Sequence, residues 1–182
     1  LFLLPEIALT TQLIQRLSVY FGEKIGVYHS KFNQNERVEI WNKVLANDPN
    51  EFRIILGARS SVFLPYQALG LIIVDEEHEG SFKQYDPSPR YNARDASIVL
   101  AQMHQAKVIL GTATPSMESY YNAKQKKFGI VELNERYKGL KLPEVLFSDV
   151  KRERRLKNMN SHFSKFLLEE MDQVLKKGEQ VI

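Results

Sequence analysis

Up to residue 113 the chain repeats one pattern, a short apolar run followed by a stretch of helical period. The runs are LFLL (1–4), IGVYH (25–29), RIILGA (53–58), LGLIIVD (69–75) and KVILGTA (107–113). Runs this short and this continuous in Val, Ile and Leu are strands buried on both faces, and strands that alternate with helices pair in parallel. The pattern therefore predicts an α/β fold, a parallel sheet with helices on both faces. Ile7, Leu13, Ile14, Leu17 and Phe21 have the spacing of one helix; Val38, Trp41 and Leu45 of a second, with Trp41 facing the core; Ala96, Val99, Leu100 and Met103 of a third. Asn33 with Glu36 three residues on predicts a capping box. Thr114-Pro115 predicts the cap and first turn of a fourth helix.

Residues 79–91, with Gly80, Pro87 and Pro89, read as a loop. Brief strands are expected at IVEL (130–133) and EVLFSDV (144–150), then an irregular basic stretch, KRERRLKNMN, and a last helix over about 161–177. The composition shifts near residue 135, which places a boundary between a domain at 1–135 and a second segment at 136–182. The chain opens without Met inside a strand-like run and stops at GEQVI as another strand begins, so both ends read as cut.

Hydrophobic residues at 43% and charged residues at 26% are ordinary for a globular protein, and a net charge of +3 tolerates an anionic partner without demanding one. There is no cysteine, hence no disulfide framework and no thiolate metal site. No apolar run reaches the roughly 20 residues of a membrane span and no signal peptide opens the chain. The expected compartment is cytoplasmic.

The apolar run 69–74 ends abruptly in Asp75, Glu76, Glu77, His78 and Glu79. In an open parallel sheet ligands sit at the carboxyl ends of the strands. These acids, GTATPS (111–116) and GARSS (57–61) all leave strands at that rim. Acids after a strand are also common as solvated turn residues. A zinc-protease pair fails for want of a second His four residues on. Carboxylates for sugar hydrolysis lack an aromatic platform. Phosphoryl transfer fits better: an Asp at a strand end can hold magnesium through water, and a neighbouring Glu can orient or deprotonate the attacking water. That chemistry needs a phosphate cradle, GxxxxGK[ST], and no Gly-Lys pair occurs in the chain. Either phosphoryl transfer is the wrong reading, or the cradle precedes residue 1.

VDEEH (74–78) resembles the DExH form of the Walker B motif of superfamily 2 helicases, and GTATPS (111–116) resembles their motif III. LLPEIALT (3–10) is similar to motif Ia and GARSSVFLP (57–65) to the motif Ib region. The ordered set PEIALT, HS, GARSSVF, DEEH, PRYNARD, GTATPS resembles that of the primosomal replication-restart helicases. RYKG, LPEV and GEQVI are similar to the linker and start of their second motor lobe.

The resemblance implies a RecA-like motor lobe at 1–135 lacking its Walker A segment, followed at 136–182 by a linker and the beginning of a second lobe. It implies ATP and magnesium as cofactors and a 3′-to-5′ DNA helicase that restarts stalled forks and loads the primosome. Asp75 would hold magnesium through water and Glu76 would activate the hydrolytic water. Glu77 and His78 would couple the nucleotide site to Thr112, Ala113 and Thr114. Pro5, Glu6, Thr10, Arg59, Ser60 and Ser61 would lie along single-stranded DNA, where hydroxyls and an Arg can grip phosphates without reading bases. Helix capping is the plainer role for Pro5 and Thr10.

The loop EGSFKQYDPSPRYNARD (79–95) interleaves Phe82, Tyr85 and Tyr91 with Lys83, Arg90 and Arg94, a composition suited to stacking on bases and contacting phosphates. Pro89 stands where family members often carry Trp before the Arg-Tyr pair. Tyr91 could instead pack under the following helix, and KRERRLK (151–157) could touch DNA or be a solvated linker. The family's zinc would need cysteines outside this chain. Implied partners are single-stranded and forked DNA, single-stranded DNA-binding protein and other primosome proteins, with no membrane. The alternatives are a DExH RNA helicase or other nucleic-acid-stimulated ATPase, and a non-catalytic scaffold, for which clustered acids have no use.

Overall fold

In the computed structural model, which describes residues 1–5, 11–29, 32–135, 139 and 143–182, five parallel strands form one sheet. They are β1 (Phe2–Leu3), β2 (Ile25–Tyr28), β3 (Ile54–Gly57), β4 (Leu71–Asp75) and β5 (Lys107–Gly111), in the order β2-β3-β1-β4-β5. Helices α1 (Thr11–Phe21), α2 (Gln34–Ala46), α3 (Ala93–His104) and α4 (Met117–Lys124) accompany them. The described residues fall into two compact units, Leu1–Ile130 and Val131–Ile182.

Register decides which side chains share a face. Leu3 pairs with both Gly57 and Val74, and Tyr28 pairs with Gly57. In-register neighbours point the same way, so Leu3, Val74, Ile72, Ile55 and Tyr28 line one face. There Leu3, Ile72 and Val74 pack with Phe82, Ala93 and Ala101, while Tyr28 and Ile55 pack with Ile40, Val44 and Leu64. Leu3, Ile72 and Val74 are fully buried, and each such side chain contributes about 1.5–3 kcal/mol. The chain steps back from β1 to β2 but forward from β2 to β3 and from β4 to β5. Right-handed crossovers therefore put α2 and α3 on this face and α1 on the other.

Helix α2 turns differently from expectation. On α2, Val38, Trp41 and Leu45 are exposed, and Ile40 and Val44 face inward. The helix carries two apolar stripes, and the stripe of Ile40 and Val44 is the one that seats against Tyr28 and Ile55. On α3 the buried positions are Ala93, Arg94, Ser97 and Ala101, whereas Val99 and Met103 are exposed. The small side chains let the helix axis approach the sheet closely. The expected capping box of α2 is present: Glu36 N–H donates to Asn33 Oδ1 (3.0 Å) and Asn33 N–H to Glu36 Oε2 (2.8 Å).

The runs 130–133 and 144–150, expected as strands, form none, and residue 150 opens a helix. Val131, Leu133 and Phe147 are exposed. The basic stretch forms a short helix instead, α5 (Val150–Arg155), whose first amides donate to Asp149. Two-residue strands β6 (Met159–Asn160) and β7 (Phe163–Ser164) pair antiparallel before α6 (Lys165–Lys176), which Ser164 caps.

Candidate functional site

Parallel pairing brings the ends of β4 and β5 together, with Asp75 opposite Gly111. Asp75 Oδ1 accepts from the Glu76 amide at 3.1 Å. Glu76 then takes φ +49°, in the left-handed region that a residue with a Cβ enters only at a cost. The turn sends three successive side chains to different depths. The Glu76 side chain is half exposed at 48%, Glu77 turns inward at 1%, and His78 lies between at 34%. His78 Nδ1 hydrogen-bonds Thr112 Oγ1 at 2.8 Å, its Nε2 lies 3.4 Å from Thr114 Oγ1, and Glu76 Oε2 is 3.6 Å from Nδ1. Thr112 Oγ1 also accepts from the Thr114 amide at 3.0 Å. Ala113 is exposed between the two threonines.

Glu77 makes a closed cluster. Its Oε1 accepts from the Ser116 amide (2.6 Å), and its Oε2 accepts from Ser116 Oγ (3.0 Å), Ser119 Oγ (2.8 Å) and Arg94 Nη1 (3.1 Å). Arg94 Nη1 also donates to Ser116 Oγ (2.7 Å), and Arg94 Nε donates to Asp95 (2.8 Å). Burial alone pushes the Glu77 carboxyl upward, but the Ser116 amide, the Ser119 and Ser116 hydroxyls and the Arg94 guanidinium together hold it below the usual carboxylate range. Glu77 is buried away from the open rim, tied to the 111–116 segment, and Arg94 donates through Nη1 to Glu77 and Ser116 and through Nε to Asp95. The cap of α4 is Ser116, not Thr114. Ser116 and Ser119 were missed because their role is visible only once Glu77 is known to turn inward.

The nucleic-acid candidates divide in the same way. Pro5 is buried, while Glu6 and Thr10 lie outside the described residues. Ser61 is fully buried and its hydroxyl donates to Ala58 O at 2.6 Å, which removes it from any phosphate. This turn depends on Gly57: a Cβ there would run into Ser61 and lie 3.1 Å from Tyr28 O. Ser60 is half-buried. Arg59 donates to the carbonyls of Ser81 (3.3 Å) and Lys83 (2.9 Å), so it braces the loop. Phe82 is 1% exposed, within the core, with no ring face for a base. Tyr91 meets Phe63 edge-on at 4.7 Å; burial pushes its hydroxyl above the usual value, although Arg59 beside it works the other way. Tyr85 is 64% exposed, with Lys83 Nζ 5.1 Å from its ring centre, and Lys83 and Arg90 are exposed. The loop is closed at its base by the Lys83–Asn92 bridge and by the Gln84 amide donating to Tyr91 O at 2.8 Å.

Residues 1–123 match the family model of DEAD/DEAH box helicases. The chain belongs to the DEAD/DEAH box helicase family. It is 40% identical over 181 residues to replication restart protein PriA of Bacillus subtilis (strain 168), covering 99% of this chain and 22% of that protein. To the proteins of the same name from Chlamydia muridarum and Helicobacter pylori (strain 26695) it is 41% and 42% identical over 182 residues, all of this chain and 24% and 27% of theirs. The chain thus spans about a quarter of the length of the curated relatives it matches. The resemblance to replication-restart helicases carried by the ordered motifs is shown by these matches. The five-stranded parallel sheet with its helices is the RecA-like α/β arrangement of this helicase family.

In this DEAD/DEAH box helicase chain the rim assembles Asp75, Glu76, His78, Thr112 and Thr114, and a separate loop presents Lys83, Tyr85 and Arg90. Among the described residues no three His, Cys, Asp or Glu side chains gather to hold a metal ion directly. A single strand-end carboxylate fits magnesium held through water, the usual arrangement where phosphates supply the other ligands. Among the described residues no helix is long and apolar enough to cross a membrane.

Proposed function

We propose that the chain is part of the motor of an ATP-dependent DNA helicase that restarts stalled replication forks. The observation that carries this reading is the pair of contacts from His78 to Thr112 and Thr114, beside two acids at one strand end. Asp75 would hold magnesium through water, and ATP bound there would supply the phosphoryl group. Glu76, half exposed and 3.6 Å from the His78 ring, orients the attacking water and takes its proton. His78 then reads the state of the rim into the loop that opens α4.

The chain contains no GxxxxGK[ST], so the phosphate cradle is supplied from outside these 182 residues. β5 lies at the sheet edge, where a further strand can pair. We assign residues 1–135 to the first motor lobe and 136–182 to the linker and beginning of the second. Single-stranded DNA engages Tyr85 by stacking and Lys83 and Arg90 by charge. Translocation is 3′ to 5′, on forked DNA in the cytoplasm, together with single-stranded DNA-binding protein and other primosome proteins. Zinc would be held elsewhere, since the chain has no cysteine.

The test is ATP hydrolysis by the complete protein against concentration of single-stranded DNA or RNA, for wild type and Tyr85→Ala. Loss of a stacked ring costs about 1–3 kcal/mol of DNA interaction, so Tyr85→Ala should lower the DNA-stimulated rate far more than the rate without DNA. Its melting temperature should stay near wild type, because Tyr85 is exposed. Equal stimulation of both proteins would reduce the loop to a packing element. Stronger stimulation by RNA would favour the RNA-helicase reading.

A further inference from the structure

The stretch KRERRLK (151–157) is a motif that the motor reading leaves without a task. It carries five cations and a single acid, more positive charge than the net +3 of the whole chain, so the rest of the chain is slightly acidic. The stretch is a folded element and not a solvated linker. Asp149 caps α5 by accepting from the Lys151 and Arg152 amides, at 2.9 and 3.2 Å. At the other end the Asn158 amide donates to Glu153 O (2.9 Å) and the Lys165 amide to Asn158 O (2.8 Å), which ties the helix to the start of α6. At 3.6 residues per turn Lys151, Arg152, Arg154 and Arg155 fall on one side of α5 and Glu153 on the other. These four and Lys157 are exposed, and Glu153 is half-buried.

Such a face costs stability. Lys151 meets Arg154 and Arg155, and Arg152 meets Arg155, at the helical spacings where like charges repel. The helix dipole favours cations in the last turn, but Lys151 stands in the first, where the dipole disfavours it. Carboxylates could relieve the repulsion. They do so on α6, where Lys165 pairs with Glu169 (3.7 Å) and Lys176 with Asp172 (2.6 Å). Among the described residues none of the five cations of 151–157 makes an ion pair. Three of the five are Arg, whose planar fork fits the oxygens of a phosphate.

We propose that this face of α5 grips the phosphate backbone of duplex nucleic acid, through residues different from those of the loop that takes the single strand. The choice of nucleic acid among polyanions rests on the motor reading above; the choice of duplex rests on the patch itself. Sites for single strands set aromatic rings among the cations, as Tyr85 stands with Lys83 and Arg90. Residues 150–157 contain no aromatic. A duplex presents a charge about every 1.7 Å of its axis, and a helix of this length extends about 9 Å, so several phosphates face it together. The contact reads no base, and it weakens as salt rises.

The test is equilibrium binding of a blunt duplex, a thymidine oligonucleotide and poly-glutamate to the complete protein over a range of salt, with ATP hydrolysis and melting temperature alongside. The variants are Arg152→Gln/Arg154→Gln/Arg155→Gln and the same three positions changed to Lys. The Gln variant should bind duplex about tenfold or more weakly, with a log–log salt slope smaller by about two to three, while oligonucleotide affinity and stimulation stay within about threefold. The Lys variant keeps the charge and should keep the slope. Wild-type duplex affinity and slope in the Gln variant overturn the proposal. So does an equal loss for the thymidine oligonucleotide, which would make the patch a single-strand site, or a loss confined to poly-glutamate, which would mark a protein partner. If the Gln variant melts below wild type, Lys151→Gln/Lys157→Gln decides by the same readings, since neither side chain takes part in the caps of α5. A wild-type protein that binds duplex as expected but is not stimulated by the oligonucleotide overturns the motor reading and leaves the duplex contact standing.

Discussion

Glu76→Gln is expected to reduce ATP hydrolysis by the complete protein by about 10²-fold or more, since the amide keeps the shape and removes the proton acceptor. ATP and DNA affinity should remain close to wild type. The side chain is half exposed and its only described ionic contact is His78 at 3.6 Å, so little packing is lost. Asp75→Ala is expected to behave differently, weakening magnesium-dependent nucleotide binding as well as turnover. Initial rates and equilibrium nucleotide binding separate the two variants. Near-normal turnover in Glu76→Gln would mean that the acids have been assigned the wrong way round.

The adjacent acid should respond in stability. Glu77→Gln leaves Arg94 in a site 9% exposed with half of its ion pairing gone. Breaking one partner of a buried pair costs about 3–5 kcal/mol. The cost should depend on pH with a definite sign. The folded state holds the Glu77 carboxyl below its usual range, so its contribution is fully present above the ordinary carboxylate value, about 4.3. It is lost as pH falls through the lower folded value. Urea unfolding of wild type and Glu77→Gln should therefore differ most near neutrality and converge in acid. A gap that stays constant from neutral to acid pH would show that the carboxylate charge contributes nothing.

Most of the sheet was legible because buried parallel strands are continuous in Val, Ile and Leu, and that signal is local. The rim was legible because parallel strands bring all their carboxyl ends to one side. What was not legible was which of two identical neighbours turns inward. Glu76 and Glu77 differ only in surroundings, and the surroundings of Glu77 come from Arg94, Ser116 and Ser119, 17, 39 and 42 residues away. The loop aromatics show the same limit with one local clue. Phe82, which has no polar atom, is in the core, and Tyr85 keeps its hydroxyl in water. On α2 two apolar stripes compete, and the choice between them rests on the shape of the sheet beneath. The runs near 130 and 145 have the composition of strands, but composition does not supply a partner edge.

The left-handed backbone at Glu76 bears on how this segment responds to selection. Glycine, and to a lesser degree Asn, occupy that conformation more easily than Glu, and relieving such a site returns about 1 kcal/mol or more to the folded state. On the proposed role of Glu76, replacing it by either residue also removes the proton acceptor. A library sorted for heat resistance alone would thus enrich changes at position 76 and deliver robust, inactive proteins. A library sorted for turnover would retain Glu there and seek its stability elsewhere in the fold.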